Sequence, residues 1–342
     1  MKSVKNAAML IMSAAVLFGI IFFSDYISEG VINGITVCGS VLIPSLFPFA
    51  VAAVFISRSK ILESIAKNKY MFILFLFFAS AVGGYPIGAK IINEEFISGK
   101  FSKKDADTLL CFCVNAGPSF VISFCGFSVF ASRKMGIILL CAHLAASVEI
   151  LLLKLKSLKS INIQTNTADG APLSTVFVES VSQAAYSVID ICAFVILFSG
   201  IVNTVSRLFS DNAVLKSVCS LFEVTNGILI SKNIYFVSFL LGFGGLCIIC
   251  QIISLSYRYL QSVAKLFCYR ILHGLLSAVN TFLLLKVFKI TVNVFGTGET
   301  FIYGLNSNCF IMSLILISLS ILLIYSLKSR KYSGNFKNDV LQ

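Results

Sequence analysis

The chain has 342 residues, 58% of them hydrophobic and 12% charged, with a net charge of +12. A soluble domain carries about a quarter charged residues, so that class is excluded, and apolar runs of about 18 residues or more recur along the length. The composition defines a polytopic α-helical membrane protein, whose excess positive charge reflects orientation and anionic headgroups of the lipid bilayer rather than nucleic acid.

The first predicted element is a transmembrane helix within 1–30, apolar from Ala7 to Phe23 and led by Lys2 and Lys5. No small-residue cleavage site followed by a soluble stretch comes after it, so it reads as a span with a cytoplasmic N-terminus. Asp25 and Glu29 beyond it face no basic residue. The second segment, Val31 to Ser57, carries Pro44 and Pro48, which remove two helical hydrogen bonds from one face and should bend or break it. Arg58, Lys60, Lys67 and Lys69 mark the next loop as cytoplasmic.

Tyr70 to Phe130 is the stretch around which the rest is organised. One apolar run is cut at Gly83-Gly84-Tyr85-Pro86-Ile87-Gly88 and the next at Asn115-Ala116-Gly117-Pro118. Breaks at membrane depth leave N–H and C=O groups unpaired, which is tolerated only where the backbone is buried in protein or lines a cavity. Lys100, Lys103 and Lys104 put the far flank of the first break inside again, so Tyr70 to Phe96 is predicted to be a re-entrant hairpin. Its arms of roughly 13 residues reach about 20 Å, short of a hydrocarbon core of about 30 Å. Leu109 to Phe130 is expected to cross as a broken helix and Met135 to Leu153 to return.

A polar cytoplasmic linker, 156–174, separates a first repeat, 31–155, from a second, 175–290. In the second, Ser187 to Phe209 crosses, and Ala213 to Ser231 is another short hairpin, cut at Glu223-Val224-Thr225-Asn226-Gly227. Phe236 to Tyr257 is a second broken helix, cut at Gly244-Gly245 with Gln251 beyond, and Val263 to Phe288 crosses again. The remainder, 291–342, is expected to hold a C-terminal transmembrane helix, Phe310 to Ser326, and a basic cytoplasmic tail. About eight full spans result, most of the 27 Lys and Arg fall inside, and the two hairpins enter from opposite faces, as in an inverted repeat. Paired short, Gly/Pro-interrupted segments in matching positions of two halves point to a transporter's binding site.

Five motifs in this order carry a resemblance. They are Ile43-Pro44-Ser45-Leu46-Phe47-Pro48-Phe49, Gly84-Tyr85-Pro86-Ile87-Gly88-Ala89-Lys90, Asn115-Ala116-Gly117-Pro118-Ser119-Phe120, Glu223-Val224-Thr225-Asn226-Gly227, and Phe243-Gly244-Gly245-Leu246 followed by Gln251. Together they resemble the nucleoside-recognition Gate domain membrane proteins and, within these, the sporulation integral membrane protein YlbJ family, over residues 31–260. The resemblance implies an all-α inverted repeat similar to concentrative nucleoside transporters, with two re-entrant hairpins and two broken helices around a central site. It also implies a bacterial cell membrane protein of the outer forespore membrane that moves dipicolinate during sporulation. Nucleosides are the alternative solutes. Cys247 and Cys250 stand where that family is more polar. Superfamily analogy suggests a homo-oligomer, either trimer or dimer.

The candidate substrate-binding residues are Gly84, Tyr85, Pro86, Gly88, Asn115, Gly117, Pro118, Ser119, Glu223, Thr225, Asn226, Gly227, Gly244, Gly245 and Gln251. Helix N-termini beyond Gly88, Gly117 and Gly227 would offer free N–H groups and positive dipole ends to an anion; alternatively the breaks only kink packed helices. Glu223 could take a ribose hydroxyl, a coupling cation or a proton, or could pair with Lys216 or Lys232. Asn115, Asn226, Gln251, Thr225 and Ser119 bring donors and acceptors that suit a solute or helix–helix contacts equally. Tyr85 could stack on an aromatic ring. Asp190 is expected at a helix start near the interface. Arg270 could hold a dianion, but snorkelling toward the interface is favoured. His143 and His273 read as packing residues, and the eleven cysteines as buried small hydrophobes with no metal site expected.

No nucleotide-binding loop or nucleophile–base constellation appears, so neither enzyme chemistry nor a cofactor is expected. The expected function is a secondary transporter or facilitator of a small anionic heteroaromatic solute, working by alternating access. The competing class is a non-transporting scaffold of spore-envelope assembly.

Overall fold

Polar residues that cap helix N-termini divide the apolar chain into helices. The computed structural model describes residues 10, 18–59, 68–158, 161, 172–209, 218–231 and 233–288. Helix α1, Ser24–Val37, passes through a π-helical turn, Cys38–Leu42, into α2, Ile43–Arg58. Asn68 caps α3, Lys69–Gly83, by accepting from the amides of Tyr70 and Met71. Helix α4 is Ile87–Ile97, and Ser102 caps α5, Lys103–Leu109. A π-helical segment, Phe120–Val129, precedes α6, Arg133–Lys154, which Ser132 caps. Helix α7 is Leu173–Leu208 and α8 is Val224–Ile230. Asn233 caps α9, Ile234–Phe243; α10 is Gly245–Ser256; Ser262 caps α11, Val263–Val287. Each such cap satisfies N–H groups that a helix start leaves without intrahelical partners.

Among the described residues five stretches are long and apolar enough to cross a membrane: Ser24–Arg58, Arg133–Ser157, Leu173–Leu208, Ile234–Ser256 and Val263–Val287. Large apolar side chains such as Phe177, Ile189, Leu197, Leu275 and Phe282 point outward and are exposed, as lipid contact requires. The protein is therefore an all-α polytopic membrane protein. Of the eight expected spans, Ala7 to Phe23 falls largely, and Phe310 to Ser326 entirely, outside the described residues, as do most of the linker 156–174 and residues 213–217 at the start of the second hairpin.

Inside lipid the hydrophobic effect does not pull helices together, so association rests on close packing of small residues. Helix α9 packs on α11 and α1 on α7, while α6 is sandwiched between α11 and the π-helical segment. At the α9–α11 crossing a Cβ on Gly242 would come within 2.5 Å of the Gly274 Cα. Gly30 of α1 rests in the same way on Ser199 and Gly200 of α7. A polar collar fixes the foot of the α3–α4 pair. Buried Glu95 accepts from Ser57 at 3.2 Å and pairs with Lys100 at 2.5 Å, while buried Asp107 pairs with Lys265 and accepts from the Gln261 amide at 3.2 Å.

Four expectations change. Pro44 and Pro48 do not break their helix: the π-helical turn shifts the hydrogen-bond register just ahead of Pro44, and Pro48 is carried inside α2. Helix α7 begins at Leu173 rather than Ser187, which puts Asp190 mid-helix. The residues that look polar there, Ser180 and Ser187, are buried with Ala184 as a small-residue face. Glu29 has a basic partner after all, Arg207 of α7, and also accepts from Asn203 at 3.3 Å. Leu109 to Phe130 is not a helix with one kink, since 110–117 is non-helical throughout.

The close α9–α11 contact makes a prediction. Gly274→Leu should cost about 1–3 kcal/mol through overpacking, whereas Gly39→Leu, with nothing within 4 Å of its would-be Cβ, should be near neutral. Thermal unfolding of the detergent-purified variants reads the difference; equal melting temperatures would contradict the contact.

Candidate functional site

The two breaks of the first half touch one another. Gly84, at φ +76°, ends α3, and a Cβ there would lie 3.1 Å from the Gly117 amide nitrogen. That φ favours glycine, and the approach leaves no room for a side chain. Gly88, within α4 and one turn on, sits directly against the Cys113 carbonyl, which a Cβ would overlap at 1.8 Å. The tip of the α3–α4 pair is thus clasped to the non-helical stretch 110–117. Pro118 and half-buried Ser119 start the helix beyond.

The second half shows a matching contact. Gly244 and Gly245, at φ +83° and +79°, separate α9 from α10. The first amides of α10 are taken by the segment before α8: Leu246 donates to the Leu221 carbonyl and Cys247 to that of Phe222, both at 2.9 Å. Glu223 comes next, 1% exposed, and its carboxylate caps α8 by accepting from the Thr225 amide at 2.9 Å and the Asn226 amide at 2.7 Å. Gly227 packs on the Ser220 carbonyl, and the Asn226 side chain donates to Ser199 of α7 at 3.0 Å.

Between these two clasps lies a cleft lined by Tyr85, Gly117 and Phe120 from one half and by Glu223, Val224, Thr225 and Ile248 from the other. Leu42 and Leu46, flanking Pro44, and Ile191 and Val195 of α7 close it. A second cleft, along α7 past Ile191, is lined by Pro86, Lys90, Ser187, Asp190, Gln251 and Ser254. There Lys90 donates to the Gln183 carbonyl at 2.8 Å and to Ser187 at 2.6 Å. The buried Gln251 bonds Cys247 through Nε2 at 3.4 Å and leaves Oε1 unpaired. Each cleft has a volume of about 20 Å³, room for little more than one water molecule. The site is closed.

Behind Tyr85 lies a buried polar network that the sequence reading did not assemble. Arg270 of α11 is 0% exposed. Its Nε donates to the Phe243 carbonyl at 3.1 Å and its Nη1 to that of Val114 at 2.6 Å, so one guanidinium ties the Gly244 break to the Asn115 break. The Tyr85 ring lies 5.7 Å from the guanidinium carbon and edge-on to His143, and the Tyr85 hydroxyl donates to the Leu241 carbonyl. His143 accepts the Ala116 amide at 2.9 Å and stacks on His273, with centroids 4.5 Å apart. Ser147 donates to Asn115 and lies 3.0 Å from His273, while Asn115 donates to the Phe112 carbonyl at 3.0 Å.

The predicted residues therefore separate into groups. Tyr85, Gly117, Glu223 and Thr225 share the central cleft, Pro86 and Gln251 line the other, and Gly84, Gly88, Gly227, Gly244 and Gly245 serve close backbone contacts. Asn115 is committed to the buried network, and Pro118, Ser119 and Asn226 do not line the central cleft. Of the expected free helix ends, Gly88 and Gly227 lie within helices rather than before them, the end of α8 is occupied by Glu223, and the end beyond Gly117 opens on Pro118, which has no N–H; the first amides of α10 are taken by hairpin carbonyls. Lys216 and Lys232, the alternative partners for Glu223, are outside the described residues. Arg270 does not snorkel, because backbone carbonyls from two breaks hold it in the interior. Arg270, His143 and His273 were legible only as intramembrane polar groups; His273 and Arg270, three apart, share one face of α11.

Five long apolar stretches among the described residues define the class, a polytopic all-α membrane protein, here with paired backbone breaks beside a buried polar network. The sporulation integral membrane protein YlbJ of Bacillus subtilis (strain 168) is 21% identical over an alignment 311 positions long that covers 74% of this chain and 76% of that protein. The chain is thus a membrane protein related to a sporulation integral membrane protein. No family model and no solved structure matches it.

The cap at Glu223 can be tested. Glu223→Ala leaves two buried amides without acceptors and should cost about 1–3 kcal/mol, while Glu223→Asn, a good helix cap, should recover most of it. Melting temperatures in detergent check the order; an alanine variant as stable as the parent would contradict the cap.

Proposed function

We propose that the chain is a secondary transporter or facilitator of a small anionic heteroaromatic solute, with dipicolinate, moved during sporulation, as the first solute to try. The observation that carries this reading is the pairing of breaks. In each half a short hairpin tip packs against the break of the segment that follows, and a small cleft lies where the two halves meet. We read these halves, 31–155 and 175–290, as inverted Gate-like repeats similar to those of concentrative nucleoside transporters, and the conformation as an occluded one. The relative's name supports sporulation, and the outer forespore membrane is the location we assign on this reading. On this reading both termini are cytoplasmic and catalysis plays no part. Glu223 is where a coupling cation or proton would act, and the protein works as a homo-oligomer.

Tyr85 offers a planar face to a heteroaromatic ring. Alternating access would move the hairpins against the remaining helices until one cleft opens. A nucleoside is the second reading, favoured by one observation: the only charged residue lining the central cleft among the described residues is the acceptor Glu223, which suits a sugar hydroxyl.

Uptake by proteoliposomes decides between them. Saturable dipicolinate flux in the parent chain, reduced about tenfold or more in Glu223→Gln, is the expected result. Uridine flux alone would move the protein to the nucleoside reading, and no flux of either from folded protein would favour the scaffold.

A further inference from the structure

The central cleft contains an acid and no cation, which suits an anionic solute poorly, yet a full positive charge is buried next to it. Arg270 has no carboxylate bridged to it among the described residues; its hydrogen-bond acceptors at good geometry are the carbonyls of Phe243 and Val114 and, at 3.4 Å, His273 Nδ1, while the Tyr85 hydroxyl also interacts with the guanidinium. Its Nη2 has no acceptor at good geometry. An intramembrane guanidinium with an idle N–H pair is costly and marks function more often than packing.

The second idle group is on His143. Its Nε2 accepts from the Ala116 amide, so a neutral ring carries its proton on Nδ1, and that nitrogen is buried without a partner. For His273 the assignment is also forced. Nε2 faces the His143 carbonyl at 3.1 Å, which can only accept, so Nδ1 is the acceptor and takes the Arg270 contact. Both unsatisfied atoms of this cluster are therefore donors. Both groups flank one side chain, Tyr85, whose ring also lines the central cleft.

The other wall between Arg270 and the cleft is equally thin. A Cβ at Gly244 would lie 3.4 Å from Nη2 and 3.2 Å from Ile248, and Ile248 lines the same cleft. Glycine is favoured at this break by its φ of +83°, and the guanidinium stands in ordinary contact with it.

We propose that Arg270 Nη2, assisted by His143 Nδ1–H, is the docking point for a carboxylate of the solute, and that Tyr85 is the cover that keeps both donors from the cleft in this closed conformation. This rests on the transport reading and deepens it, naming the anionic group and the residue that receives it. Movement of the α3–α4 tip carries Tyr85 aside and opens Nη2 to the cleft. A carboxylate then completes the idle donors with charge-assisted hydrogen bonds, and its heteroaromatic ring remains in the cleft. Solutes lacking a carboxylate leave Arg270 idle and are rejected, because a buried unpaired donor penalises the wrong ligand more than a lost contact would.

The test is binding of radiolabelled dipicolinate to the full chain in lipid nanodiscs, with picolinate, picolinamide and uridine as competitors, for the parent, Arg270→Lys and Arg270→Gln. Picolinate is expected to compete at least about tenfold better than picolinamide. Arg270→Gln should weaken dipicolinate about thirtyfold or more and Arg270→Lys by an intermediate factor, since the fork is lost but the charge kept. A folded Arg270→Gln that binds dipicolinate like the parent overturns the proposal and leaves the transport reading standing. If the Arg270 variants do not fold, the competitors still decide it in the parent chain, where picolinamide matching picolinate overturns the role of the carboxylate. Uridine binding without dipicolinate binding overturns this proposal and the anionic-solute reading together.

Discussion

A backbone that leaves the helical path at membrane depth must find its hydrogen bonds in protein, since lipid offers none. This constraint organises the interior. The amides of Ala116, Leu246 and Cys247 all lie at or next to a break, and each has a partner from another part of the chain: His143, Leu221 and Phe222. The Thr225 and Asn226 amides are met by Glu223. Because the partners are distant in sequence, satisfying the breaks also fixes how the helices are placed. Arg270 extends the same logic to carbonyls, closing those of Phe243 and Val114 from two different breaks with one side chain.

The arrangement combines firmness with the capacity to move. Small residues at the α1–α7 and α9–α11 crossings bring long helices into contact and make a frame. The pieces held within it, α4, α5 and α8, are short, and besides their buried apolar side chains they are tied to it by hydrogen bonds and ion pairs such as those of Lys90, Asp107 and Asn226. Short elements fastened by polar contacts can exchange those contacts at lower cost than interdigitated helices can repack. A closed cleft bounded by such pieces is what an occluded state of a carrier requires.

Much of this was legible in the sequence. The break positions followed from glycines and prolines interrupting apolar runs, and Tyr85, Gly117, Glu223 and Thr225 do converge on one cleft. What each break does was harder to read. Helix ends that look free in sequence are filled by Glu223 and by hairpin carbonyls, partners determined by tertiary contact rather than spacing. Pro44 looked like a breaker, but a π-helical turn changes the hydrogen-bond register just ahead of it. Arg270 looked able to snorkel because one helix shows neither the neighbours around a side chain nor the carbonyls it will meet. The true start of α7 at Leu173, ahead of the expected Ser187, was hidden because small hydroxyl residues such as Ser180 suit a buried helix face and a solvated one alike.

The account stands on the breaks being clasped, so hydrogen exchange of the purified chain in nanodiscs, resolved to single amides, tests it most directly. The Ala116, Leu246 and Cys247 amides should exchange as slowly as those in the centre of α6, although they sit at or beside interruptions of the helices. Complete exchange of these amides at the shortest labelling time, with α6 still protected, would mean that the breaks are open to water and unpaired, and would contradict the central claim.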